Sequence, residues 1–179
     1  MSALKTTGLS VAALATVAAL AVSAYAQFAS GGSKIGFPEN HAKGVLYTTV
    51  DRADNKQYRE IYASPEAVAA AKKGEGLPSG TVLTLVQFKA KLDAQGNPEK
   101  DANGRFIKSD LIGYTVMEKR TGWGVEYPPE LRNGEWEYQA FKADKTVNDK
   151  ANLKACFECH KPLAARQDFV FSYDKLAGK

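Results

Sequence analysis

"GTVLTLVQFKAKLD", Gly80 to Asp93, is the stretch on which the fold class turns. It opens on β-branched residues and then alternates through Phe88, Lys89, Ala90 and Lys91, the period-two pattern of a strand with one face covered. "AQGNPEKDANGR" (Ala94 to Arg105) follows as a polar hairpin loop rich in Gly, Asn and Asp, and "FIKSDLIGYTVMEKR" (Phe106 to Arg120) returns as the next strand. A third strand, "EWEYQAF" (Glu135 to Phe141), comes after a turn at Asn133-Gly134. Consecutive strands joined by turn chemistry make an antiparallel meander.

Upstream, "YREIYASPEAVAAAKKGEGLPSGT" reads as a strand over Tyr58 to Tyr62, then a helix capped by Ser64 with Pro65 in its first position, closing near Gly74. "FPENHAKGVLYTTVDRADN" places a helix start after Pro38, with Glu39 in the first turn, ahead of an apolar stretch from Val45 to Val50. Asn148 to Lys154 has helical potential, and "DFVFSY" (Asp168 to Tyr173) reads as a closing short strand. The expected class is α+β: a mainly antiparallel meander packed with a few helices.

The first 26 residues have the grammar of an export signal: Lys5, the apolar run Leu9 to Val22, and Ala24-Tyr25-Ala26 before Gln27. The run is shorter than the roughly 18–20 residues of a membrane span, so a cleaved peptide is expected and no span after cleavage. Residues 27–36 then form a Ser/Gly-rich leader, and 37–179 a single domain. The net charge of +4 is carried by basic residues scattered among acids, which indicates neither a nucleic-acid stripe nor an anionic-membrane patch.

Both cysteines lie within four residues, in Cys156-x-x-Cys159-His160. In an exported chain this spacing fits covalent attachment of one haem c. A disulfide across two residues would close too small a loop to stabilise much, and thiol oxidoreductases place Cys-x-x-Cys early, at a helix start in a βαβ unit. Zinc would need further Cys or His ligands that the chain lacks. With thioethers at Cys156 and Cys159, His160 becomes the iron ligand on one face. His41 and Met117 are the neutral candidates for the other; without either, the iron is five-coordinate and open to small ligands.

The segments "REIYASPEAVAAAKKGEGLPSGTVL", "DLIGYTVMEK" and "ACFECHKPLAARQDFVFSYDKL" resemble the cytochrome P-460 family, and within it the cytochrome c′-beta branch. The resemblance implies an antiparallel sheet packed with helices, a homodimer, His160 as proximal ligand and an open distal pocket on the sheet. Members that oxidise hydroxylamine carry a haem-linked lysine five residues after the glycine of the "GTV" start; here that place is Leu85. The branch that binds nitric oxide without a cross-link is the nearer match.

Three functions stay open from the sequence. The first is a periplasmic monohaem cytochrome binding NO or a similar small ligand. The second is a hydroxylamine- or NO-oxidising enzyme, with Lys89 or Lys91 reaching the haem by a shifted register and Glu60 or Glu158 as proton acceptor. The third is an electron carrier with Met117 or His41 as sixth ligand, serving a periplasmic electron-transfer protein. Tyr58 and Phe88 are candidate aromatic neighbours of the pocket, and Arg166 and Lys161 candidate partners of the haem carboxylates.

Overall fold

The structure, a computed structural model, describes residues 34–163 and 167–179. The expected signal peptide, most of the leader, and Arg166 lie outside the described residues.

Five strands form one sheet in chain order: β1 (Val45–Arg52), β2 (Gln57–Ala63), β3 (Val82–Ala90), β4 (Lys108–Lys119) and β5 (Trp136–Lys142), each antiparallel to the next. The expected α+β meander is present, extended at its leading edge. The apolar stretch from Val45 becomes edge strand β1, pairing Thr48 with Ile61 and Arg52 with Gln57. Between β2 and β3, helix α1 (Pro65–Lys72) starts as its residues dictate: Ser64 Oγ accepts from the Ala67 amide at 3.3 Å, and Pro65 needs no partner.

Three local expectations are corrected. The helix after Pro38 is a single 3₁₀ turn, His41–Lys43, which Gly44 ends because any Cβ there would lie 2.6 Å from the Ala63 carbonyl oxygen. The helical potential at Asn148 is realised later, as α2 (Leu153–His160), capped by Asn152, so that the helix itself carries both cysteines and His160. "DFVFSY" is not a strand. Asp168 and Phe169 take left-handed backbone angles (φ 45° and 62°), and the segment turns into a short helix, α3 (Tyr173–Leu176). Its β-prone composition is overridden because it packs across one face of the sheet instead of pairing with an edge.

The pleat gives the sheet two faces with different cores. Leu83, Met117, Trp136 and Tyr138 face α1, α2 and α3, packing with Ala67, Ala71, Phe157, Val170 and Leu176. Val86, Tyr114, Val116 and Phe141 face the other way, under Ile35, Phe37 and Trp123.

Candidate functional site

Helix α2 is held at its middle, through Phe157. Phe157, buried, sits against the rings of Tyr127 and Tyr138 at 5.3 and 4.7 Å between centroids. Buried Asn133 donates through Nδ2 to the Phe157 carbonyl (2.9 Å) and to the Tyr138 hydroxyl (3.0 Å), fixing the helix against β5. The helix therefore presents Cys156, half-buried, and Cys159, exposed, as free thiols one turn apart. Burial pushes the Cys156 thiol up, and the neighbouring Cys159 adds to the effect.

His160 ends the same helix. Its Nδ1 lies 2.6 Å from the Phe169 carbonyl oxygen, and since a carbonyl only accepts, Nδ1 carries the proton and Nε2 is left with a lone pair. Burial lowers the pKa of His160, with the Phe169 carbonyl opposing, so the ring is held neutral. Tyr138 and Phe171 flank it at 5.1 and 4.9 Å. A neutral imidazole with Nδ1 tied to backbone is the form that binds a metal through Nε2.

The left-handed pair at Asp168 and Phe169 is what aims that carbonyl. Asp168 anchors it: Oδ2 accepts from the Leu77 amide (2.8 Å) and Lys119 Nζ (2.9 Å), and Oδ1 from Trp136 Nε1 (3.2 Å). Phe169 lays its ring over Gly134, where a Cβ would be 3.1 Å from the ring. Sequence reasoning saw this motif but assigned it to a strand.

Cys156, Cys159 and His160 open onto a cavity of about 580 Å³, within the size range of small-molecule sites. Its opposite wall is the sheet: Ile61 of β2, Leu83 and Leu85 of β3, Thr115 and Met117 of β4. Register explains the grouping, since Ile61 pairs with Leu85 and Leu85 with Thr115. Tyr47, its hydroxyl 2.7 Å from Ser172 Oγ and its pKa raised to about 12 by burial, closes one side. Arg52, Arg59 and Lys175 also line the cavity.

The sequence model of the family described as Cytochrome P460 matches residues 39–172, more than half of the chain, including Cys156, Cys159, His160 and the cavity wall on the sheet. The chain belongs to the Cytochrome P460 family. It is therefore a haem protein of that family. No curated protein matches the sequence.

Haem fits what this P460 chain offers. Two free thiols and a neutral imidazole share one wall, and the wall facing them is mainly aliphatic. Leu85 and Met117 are on the cavity wall. His41 is not: it lies beyond the sheet, edge-on to Phe37, Tyr62 and Tyr114, and cannot reach the side on which His160 stands. Tyr58, Phe88 and Glu60 also occupy the far face, because their positions alternate with Arg59, Ile61 and Leu85. Glu60 there accepts from Lys108 Nζ (2.6 Å) and the Tyr62 hydroxyl (3.0 Å).

The remaining candidates are spent on other partners. Lys89 pairs with Asp110 (3.3 Å) and Lys91 with Glu99 (2.7 Å), both exposed and off the cavity wall. Glu158 pairs with Lys154 one helical turn away (2.9 Å). Lys161 donates to the carbonyls of Pro129 and Arg132. Arg59 and Thr115 were missed. Their signal was the phase of each strand, which becomes usable only once the register joining β2, β3 and β4 is known.

Proposed function

We propose that this protein is a c-type cytochrome whose single haem, joined to Cys156 and Cys159 and ligated by His160 Nε2, binds NO or a similarly small ligand on the sheet side. The observation that carries the reading is the wall opposite His160, where Leu85 and Ile61 stand side by side in register. Haem held by these residues would supply an iron able to take a small ligand. Leu83, Leu85 and Ile61 offer no ligating atom and no hydrogen-bond donor, so they restrict the pocket by size and favour neutral, compact ligands. Thr115, whose Oγ1 accepts from Gln87 Nε2 at 3.1 Å, adds a polar point beside Leu85.

The oxidising alternative has less support. No Asp or Glu lines the cavity among the described residues, and Lys89 and Lys91 are engaged in surface ion pairs. Electron transfer with Met117 as sixth ligand keeps one specific observation in its favour: Met117, 8% exposed, is on the cavity wall. In either case the setting we propose is periplasmic, as a homodimer, with a periplasmic electron-transfer protein as redox partner. The test is the optical spectrum of the reduced, haem-loaded protein before and after NO. A broad high-spin spectrum whose Soret band moves on NO is expected; sharp low-spin bands indifferent to NO would overturn the reading.

A further inference from the structure

The cavity's charge is not balanced by its own walls. Three cations line it, Arg52, Arg59 and Lys175, and no carboxylate does so among the described residues. Arg52 is neutralised from outside the cavity, its Nε and Nη2 on the two oxygens of Asp54 at 2.9 and 2.6 Å. Lys175 is exposed and, among the described residues, donates to the Lys179 carbonyl at 3.3 Å. Arg59 differs from both. It sits mid-strand on β2, paired with Val50 and Gln87, and is half-buried. Its Nε and Nη2 both point to one neutral acceptor, Gln57 Oε1, at 3.0 and 2.7 Å.

A guanidinium has five donors in a planar fork, so most of its capacity remains after Gln57. Taking such a charge partly out of water is costly unless an anion meets it. Burial, then the like charge of Arg52, lowers the pKa of Arg59, with Asp54 opposing. Gln57 orients the group without discharging it.

We propose that Arg59 is the oxyanion-binding residue of this cavity, taking a planar, singly charged oxyanion of carboxylate or nitrite type beside the ligand pocket. The planar fork matches two coplanar oxygens, and a single half-buried guanidinium with no direct carboxylate partner among the described residues suits one negative charge better than a phosphate's two. This rests on the haem reading in one respect: the oxyanion has two sources, a carboxylate of the haem itself or a free anion entering with the ligand.

The experiment compares the haem-loaded full chain with its Arg59→Leu and Arg59→Lys variants. Nitrite is titrated against the oxidised Soret band and, independently of iron, against the thermal midpoint. Reduction potential is followed with pH, and the NO-induced shift of the reduced wild-type protein reports on the ligand pocket separately. If the anion is free, Arg59→Leu weakens nitrite binding by about tenfold or more, equivalent to the loss of one charge-assisted contact, and abolishes nitrite's thermal protection. Arg59→Lys recovers part of both. If the anion is the haem carboxylate, nitrite binding stays put while the potential and its pH-dependent step move in Arg59→Leu. Either result assigns the oxyanion to Arg59 and names its source. If neither nitrite affinity nor potential moves, the proposal is overturned; a wild-type protein that ignores NO instead overturns the ligand-pocket reading, with nitrite's thermal effect still deciding the role of Arg59.

Discussion

The carbonyl oxygen of Phe169 lies 2.6 Å from Nδ1 of His160, nine residues earlier in the chain. The contact depends on two consecutive residues in left-handed conformations, which a non-glycine pair adopts only when its surroundings hold it there. Asp168 provides the hold by accepting from three elements at once: the Leu77 amide, Lys119 on β4 and Trp136 on β5.

Asp168→Ala is accordingly expected to act at a distance. It strands the Lys119 ammonium, whose side chain is 16% exposed, and should cost on the order of 2–4 kcal/mol in urea unfolding. With its anchor gone the Phe169 carbonyl is no longer aimed, so the reduced spectrum should broaden and the reduction potential shift. Asp168→Asn keeps one acceptor oxygen of the two and should be milder in both measurements; a spectrum unchanged in Asp168→Ala would separate the network from the imidazole.

Met117 separates gas binding from electron carriage. Met117→Leu conserves volume and should cost less than about 1.5 kcal/mol. If the iron is open, the variant's spectrum matches the wild type. Conversion from low spin to high spin would identify Met117 as sixth ligand.

Glu137 makes stability pH-dependent. Burial raises its carboxyl from the ordinary 4.5 to about 7, with Glu126 adding to the rise and the Tyr127 hydroxyl (2.9 Å) and Lys34 opposing it. Across the strand pair it faces Glu118, which Arg120 neutralises. The native state therefore keeps a proton that the unfolded chain releases above pH 4.5. This contribution is complete below pH 4.5 and lost as pH rises through about 7. Glu137→Gln retains an acceptor for Tyr127 and should flatten that slope, gaining on the order of 1–3 kcal/mol over the wild type above pH 7 in thermal or urea unfolding.

Gly113 tests the register that brings Leu85 and Thr115 together. It sits at the irregularity between Gln87 and Phe88 on the neighbouring strand, with φ 157°, and a Cβ there would lie 2.4 Å from the Phe141 carbonyl oxygen. Gly113→Ala should destabilise by at least about 2 kcal/mol, because β5 backbone must move. The same variant should alter ligand-binding rates through the displaced β4 wall, measured by NO mixing.

The meander was readable because the end of β3 alternates and because β3, β4 and β5 are separated by segments with Gly and Asn turn signals. Helix α1 was readable from Ser64-Pro65 alone, and the thiol and imidazole group from its spacing. What could not be read is which face of each strand looks toward Cys156. Tyr58 and Arg59 are equally good candidates until the pairing of Ile61 with Leu85 chooses the odd phase. "DFVFSY" misled for a related reason: its residues favour a strand, but three hydrogen bonds from distant elements to Asp168 outweigh local preference.

The alternation of the sheet also divides the labour of change. Across β2, β3 and β4, residues 59, 61, 83, 85, 115 and 117 meet the cavity, whereas 60, 86, 114 and 116 turn to the opposite side. Neighbouring letters of the sequence thus answer to different pressures, one to the identity of a ligand and the next to the integrity of a hidden core. Such a wall can be retuned for a new small molecule at every second position while the intervening residues go on holding it upright.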